Sequence, residues 1–155
     1  MTKLSHFDET GKIRMVDVGG KADTERVAVA SARVKLSKST IDAIRKNSTP
    51  KGDPLEIARI AGIMGAKKTS ELIPLCHQIN LSKVEVEAKL DDRGVLLKAT
   101  AKTRSKTGVE MEALTAVTIA GLTVYDMCKA VQKDIEISDV RLDRKTGGKN
   151  DYSRG

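Results

Sequence analysis

The stretch Lys83 to Lys102, KVEVEAKLDDRGVLLKATAK, carries the clearest structural signal of the sequence. Aliphatic or small residues alternate in it with mostly polar residues, which is the pattern of half-buried β-strands. The inward-facing positions are Val84, Val86, Ala88, Leu90, Val95, Leu97, Ala99 and Ala101. Between the two runs, Asp91 to Gly94 has the composition of a tight turn. The stretch therefore predicts a β-hairpin.

Four regular segments are predicted upstream of the hairpin. Arg14 to Val18 has the pattern of a short strand, and Val27 to Leu36 that of a longer strand rich in Val and Ala. A helix is predicted from Ser37, which is available as its N-cap, to about Asn47. A second helix is predicted from Asp53 to about Lys67, because Asp accepts free amide donors and the following Pro fits a first helical turn.

Downstream of the hairpin, the longest helix is predicted from Val109 to Gln132, and a last strand from Ile135 to Leu142. Apolar and small residues occupy more than one side of this helix. Because a chain of 155 residues can hardly enclose such a helix alone, the pattern favours an oligomer.

The order of these elements indicates an α+β fold. It corresponds to the β-α-β-β-α-β arrangement of ferredoxin-like domains, with an extra helix and an N-terminal strand. The length predicts one domain over residues 1–155. Residues 1–11 are predicted to form an arm, and residues 144–155 a flexible, Gly-rich basic tail.

Composition narrows the class of function. The formal charge of +7 predicts an anionic partner, with phosphorylated metabolites and nucleic acid both open. A nucleic-acid module of this fold would stack bases on strand aromatics, but none of the three aromatic residues lies in a predicted strand, so nucleic acid is disfavoured. The two cysteines and the absence of a signal-like amino terminus favour reduced thiols in a cytoplasm. No apolar run approaches the length of a membrane helix.

The first chemical constellation is on the long helix, with Glu110, Glu112, Asp126 and Lys129. Glu112 and Asp126 share one side of the helix, but their 14 positions of separation correspond to ~21 Å. Either the helix begins after Glu112, or one site joins Glu112 of one subunit to Asp126 of another. Spacing alone makes Asp126 and Lys129 an ordinary i, i+3 pair on a wet face, whereas the apolar residues around them predict partial burial and mutual pKa shifts.

Two further candidates carry alternatives of their own. Cys76 and His77 are adjacent, so they converge poorly on one metal ion, and a metal site is disfavoured. His77 is as consistent with a structural role as with proton transfer. Lys51, Lys145 and Lys149 lie beside or near glycines, where an ammonium can reach a phosphate, although solvated loops explain the same pattern.

Several motifs resemble the cyclic pyranopterin monophosphate synthase family. They are Met15-Val16-Asp17-Val18, Lys51-Gly52-Asp53, Leu72 to His77, Gly108 to Ala116, Tyr125 to Ala130 and Lys145 to Lys149. Together they span nearly the whole chain in the order typical of the family. Gln78, where the family usually has proline, and Gly19-Gly20 depart from its pattern.

The resemblance implies an enzyme of molybdenum cofactor biosynthesis. Its reaction would convert 3',8-cyclo-7,8-dihydroguanosine 5'-triphosphate into cyclic pyranopterin monophosphate and release pyrophosphate. It implies a catalytic group of Asp126, Lys129, Lys51, His77, Glu110 and Glu112, and further substrate contacts from Leu75, Cys76, Met111, Lys145, Lys149, Asp17 and Lys21. It also implies a homohexamer, a trimer of dimers, with sites between subunits. No cofactor is required, although Mg²⁺ on the substrate phosphates is compatible with the chemistry.

Overall fold

The structure, a computed structural model, describes residues 4–155, so the first three residues of the predicted arm lie outside the described residues. The elements are β1 (Thr24–Lys35), α1 (Lys38–Arg45), α2 (Pro54–Lys67), α3 (Thr69–Leu72), β2 (Leu81–Asp91), β3 (Gly94–Ser105), α4 (Glu110–Cys128), β4 (Glu136–Thr146) and β5 (Tyr152–Ser153). All strands form one antiparallel sheet in the order β2-β3-β1-β4-β5. Strands β1 to β4 have the order β4-β1-β3-β2, which is the order of ferredoxin-like domains. This confirms the predicted fold class.

The hairpin forms as predicted. β2 pairs with β3 from Leu81 opposite Thr103 to Asp91 opposite Gly94. The inward positions of β3 are fully buried, and those of β2 are buried or packed against the core. The core lies between this face of the sheet and the helices, where α4 packs across β1, β3 and β4, and α2 packs on α4 and β2.

Gly94 is required at the hairpin turn. Its φ is +130°, and a Cβ placed there would lie 2.0 Å from the Val34 carbonyl oxygen. Gly94→Ala is expected to lower the free energy of unfolding by ~2–3 kcal/mol, because backbone strain and a displaced β1 contact act together. Denaturant titration checks this, with Gly20→Ala as the control, since nothing lies within 4 Å of its added Cβ. Equal stability of both variants would contradict the expectation.

The helix starts follow the predicted capping chemistry. The Ser37 side chain accepts a hydrogen bond from the Thr40 amide, and the Asp53 carboxylate accepts from the amides of Leu55 and Glu56. The small-residue surface of α2 allows close packing on α4: a Cβ added at Gly65 would lie 2.8 Å from the Ile119 side chain. This contact fixes the distance between the two helices.

Several boundaries differ from the prediction, among them the end of the long helix, which lies at Cys128 instead of Gln132. Arg14 to Val18 forms no strand; the Val16 carbonyl is bound by the His77 ring instead of a neighbouring strand, and an isolated bridge joins Phe7 to Ile13. The last strand does not end at Leu142 but continues to Thr146, because Arg144, Lys145 and Thr146 pair with Val29, Ala28 and Val27 of β1. The region predicted as a tail from Arg144 therefore begins inside β4 and returns to pair through β5.

Among residues 4–155, no helix combines the length and the apolar character that crossing a membrane requires.

Candidate active site

A cavity of about 440 Å³ opens where four segments meet: the N-terminal segment, the loop after α3, the first turn of α4 and the C-terminal turn. Its volume suits a small metabolite. Eight of the predicted site residues line it, namely Lys21, Leu75, Cys76, His77, Glu110, Met111, Glu112 and Lys149. The structure thus brings together residues that lie up to 128 positions apart in the sequence, from Lys21 to Lys149.

Glu112 is the buried acid of this cavity. Its side chain starts from the first turn of α4, and the residue is only 4% exposed. Burial raises the pKa of the Glu112 carboxyl from 4.5 to about 7, and the charge of Glu110 adds to the rise. A carboxyl with this pKa can both donate and accept a proton near neutral pH.

The raised pKa of Glu112 links stability to pH. Because the folded protein binds this proton more tightly than the unfolded chain, the contribution is complete below pH 4.5 and is lost as the pH rises to about 7. Relative to Glu112→Gln, the free energy of unfolding of the wild type is expected to fall by roughly 2 kcal/mol over this window. Each pKa unit corresponds to about 1.4 kcal/mol, and solvent at the open mouth of the cavity reduces the full value. Unfolding curves at equal protein concentration measure it, and a constant difference between the two proteins would contradict it.

Cys76 is a thiol rather than a thiolate. Burial raises its pKa, and the nearby Glu112 raises it further. Because the thiolate is the nucleophilic form, this position does not favour covalent catalysis by Cys76. Within residues 4–155, no three His, Cys, Asp or Glu side chains are grouped as ligands for a metal ion. The absence of a resident metal stays a prediction.

His77 makes a structural contact and also lines the cavity, so its position is compatible with both roles that the sequence left open. Its Nε2 lies 2.6 Å from the Val16 carbonyl oxygen, so the ring holds the N-terminal segment over the cavity. The same ring lines the cavity wall beside Glu112. The contact assigns the hydrogen on Nε2, since a carbonyl only accepts. Nδ1 is then the acceptor nitrogen of the neutral ring.

Two predicted residues flank the cavity without lining it. Lys145 Nζ lies 2.9 Å from Glu110 Oε1, which ties β4 to the start of α4. The Asp17 carboxylate accepts a hydrogen bond from the Gly19 amide at 2.8 Å and shapes the turn before Lys21. Both side chains therefore have structural partners in the single chain.

The second constellation lies at the opposite end of α4. Asp126 Oδ1 is 2.8 Å from Lys129 Nζ, and Asp126 Oδ2 is 2.9 Å from Lys51 Nζ. The hydrogen bond from Lys129, and to a smaller extent that from Lys51, holds the pKa of the Asp126 carboxyl at about 2. The hydrogen bond to Asp126 in turn raises the pKa of Lys129. The predicted partial burial is wrong for the single chain, because the two side chains are 54% and 53% exposed. Asp126 lies on the outer surface of the helix.

The start of α4 excludes one of the two geometries that the sequence allowed, a helix that begins after Glu112. The helix begins at Glu110, so Glu112 and Asp126 lie on one continuous helix, ~21 Å apart. None of Lys51, Asp126 and Lys129 lines the cavity. One chain therefore carries two separate clusters.

Sequence reasoning missed part of the cavity wall. Thr107 and Gly108 line it, and Lys106 donates from Nζ to the Gly19 carbonyl at 2.9 Å. Lys106 precedes Thr107-Gly108, just as Lys145 precedes Thr146-Gly147. Nearness to glycine, which made Lys51 and Lys145 candidates, could therefore have identified this loop. Arg26, on β1, binds the same loop, and no local pattern distinguishes it from a strand residue exposed to solvent.

A larger groove of about 740 Å³ lies on the open face of the sheet. Lysines and arginines line it, but its one carboxylate, Asp143, pairs with Arg141. It lacks the buried acid and the two histidines, His6 and His77, of the smaller cavity. The groups suited to acid–base chemistry therefore lie in the smaller cavity.

The ferredoxin-like domain and its cavity, with a buried acid, a histidine and two lysines, define an enzyme of the acid–base type. A sequence model of the MoaC family matches residues 15–148. The chain therefore belongs to the MoaC family.

Similar proteins agree with this assignment. A cyclic pyranopterin monophosphate synthase of Peptoclostridium acidaminophilum is 55% identical over 153 residues, 98% of each protein. A synthase of the same name from Streptomyces griseus is 57% identical over 98% of the chain and 86% of its own length. A molybdenum cofactor biosynthesis bifunctional protein of Chlorobaculum tepidum is 54% identical over 96% of the chain, which spans 47% of that protein.

Proposed function

We propose that the chain is a cyclic pyranopterin monophosphate synthase, a lyase of molybdenum cofactor biosynthesis. It converts 3',8-cyclo-7,8-dihydroguanosine 5'-triphosphate into cyclic pyranopterin monophosphate and releases pyrophosphate. The observation that carries the proposal is the cavity in which Glu112, with a pKa of about 7, lies with His77 and two lysines. Rebuilding a purine ring requires proton donors and acceptors, and a triphosphate requires cations.

The chemistry divides between the residues by their charge. Glu112, whose pKa of about 7 lets it gain or lose a proton near neutral pH, transfers protons at the ring atoms together with the His77 imidazole on the same cavity wall. Lys21 and Lys149, at the cavity wall, bind the phosphates and stabilise the pyrophosphate as it leaves. Lys145 holds Glu110 beside them.

No cofactor is part of this proposal. The lysines supply the positive charge that a phosphate-bound metal would otherwise supply. Any Mg²⁺ in the site is bound to the substrate phosphates as their counterion.

The cluster of Lys51, Asp126 and Lys129 enters the same site from a second subunit. One stripe of α4 is exposed or half-buried and runs between the two clusters at spacings of three and four residues; it consists of Met111, Thr115, Thr118, Leu122, Asp126 and Lys129. Leu122 at its centre is 52% exposed. The adjacent helix α2 exposes Ile57, Ile60 and Met64. A partner subunit packed on this surface buries apolar side chains that the single chain leaves in water.

An antiparallel pair of α4 helices brings the clusters together. Glu112 lies seven positions before Ile119, and Asp126 lies seven positions after it. A two-fold axis near Ile119 therefore sets Glu112 of each subunit opposite Asp126 of the other, across helices about 8–10 Å apart. Each pair of subunits then has two complete sites.

Three such dimers form the homohexamer proposed for the chain, which works in the cytoplasm. The support for subunit pairing is the exposed apolar surface of α2 and α4 described above.

Turnover of the substrate tests the proposed function. Purified protein is incubated with the cyclised guanosine triphosphate, and pyrophosphate release and pterin formation are followed together. Both are expected in equal amounts. A folded, assembled wild type that releases no pyrophosphate would contradict the enzyme assignment and favour a non-catalytic assembly partner.

A further inference from the structure

Arg26 on β1 binds the loop that leads into α4. Its Nε donates to the Ser105 carbonyl and its Nη2 to the Lys106 carbonyl, both at 3.1 Å. These bonds join residues 79 and 80 positions apart. The planar guanidinium thus donates hydrogen bonds to two successive backbone carbonyls at the end of β3.

The loop held by Arg26 forms a wall of the cavity. Thr107 and Gly108 line it, and the next residues begin α4 with Glu110 and Glu112. The same loop reaches the N-terminal segment, since Lys106 Nζ donates to the Gly19 carbonyl. A shift of this loop therefore moves the first turn of α4 relative to the segment that carries Lys21.

The remaining guanidinium nitrogen of Arg26 faces the C-terminal turn. A Cβ added at Gly148 would lie 3.3 Å from Arg26 Nη1, so the turn packs directly on this group. The turn is fixed further by Thr24, whose hydroxyl donates to the Gly147 carbonyl at 2.7 Å, and by the Asp151 carboxylate, which accepts from the Gly147 amide. The next residue along, Lys149, lines the cavity.

We infer that Arg26 is a positioning residue of the active site. It holds the loop before α4 and the C-terminal turn in one arrangement, so that the glutamates of α4 and Lys149 face the same substrate. The inference rests on the proposed function for its substrate. A lysine at this position cannot replace the arginine fully, because one ammonium on a flexible stem does not match the fixed fork that spans both carbonyls and the turn.

The test compares Arg26→Met and Arg26→Lys with Arg104→Met, an exposed arginine of β3 that serves as the matched control. KM for the cyclised guanosine triphosphate is expected to rise about 10- to 100-fold in Arg26→Met, since small displacements of binding groups have effects of this size. The value of kcat is expected to fall as well, because the same loop positions the first turn of α4 with Glu112. Arg26→Lys is expected to lie between, and Arg104→Met to match the wild type.

A second measurement reports on the loop before α4 and on the C-terminal turn without an activity assay. Hydrogen exchange of the amides at residues 107–109 and 147–149 is expected to be faster in both Arg26 variants and unchanged in Arg104→Met. Unchanged exchange together with unchanged KM and kcat would overturn the inference, as would a loss of activity without faster exchange at these amides. If Arg26→Met does not assemble, Arg26→Lys alone decides by the same criteria. An inactive wild type would refute the proposed function, while the exchange data would still test the positioning.

Discussion

Asp126→Asn is expected to lower the rate of pyrophosphate release by about 10²- to 10³-fold, the loss typical when one preorganised electrostatic group is removed from an active site. The carboxylate holds Lys51 and Lys129 by charge-assisted hydrogen bonds, and its pKa of about 2 keeps it ionised near neutral pH. A neutral amide removes that charge and offers one acceptor oxygen, so both ammonium groups lose their arrangement.

The same substitution is expected to leave folding unchanged, since exposed ion pairs contribute little to stability. Thermal melting and size-exclusion chromatography measure this beside the turnover assay. Asp92→Asn is the matched control, because Asp92 also pairs with a basic residue, Arg45, at 2.8 Å on an exposed surface. Wild-type rates in Asp126→Asn would reduce the cluster to the ordinary helical ion pair that its spacing allows.

The fold was predictable wherever local pattern and tertiary packing favour the same structure. The hairpin alternates at every position except Leu96, and the caps at Ser37 and Asp53 bind the amides that their residue types favour. The strand predicted from Arg14 to Val18 is wrong for the opposite reason. Its pattern is short, and a tertiary contact from His77 binds the Val16 carbonyl that a sheet partner would otherwise bind.

The candidate site was predictable in its chemical groups but less so in its geometry. Cys76, His77, Glu110 and Glu112 are contiguous in short motifs, so a resemblance to a family identifies them together. Burial of Glu112 and exposure of Asp126 depend on which elements cover each end of α4, and a single helix does not reveal this. Arg26 acts through backbone carbonyls, which have no signature in the sequence.

Mixing Glu112→Gln with Asp126→Asn is expected to restore activity that neither variant has alone. In a two-fold pair of subunits, each site takes Glu112 from one chain and Asp126 from the other. A mixed pair therefore has one site with both substitutions and one site with none. Since random exchange makes half of the pairs mixed, the recovered rate is expected to be about a quarter of the wild-type rate per subunit.

Subunit exchange has to be shown independently, by native mass spectrometry with one variant isotopically labelled. A mixture of Asp126→Asn and Lys129→Ala is the matched control, because both substitutions lie in the same half of the site and every mixed pair keeps two damaged sites. This control is expected to stay inactive, whereas the first mixture gains activity at the rate of exchange. The ~21 Å separation of Glu112 and Asp126 along α4 means that they cannot serve one substrate within one chain. Complete exchange without recovered turnover in the first mixture would show that they do not share a site across subunits either.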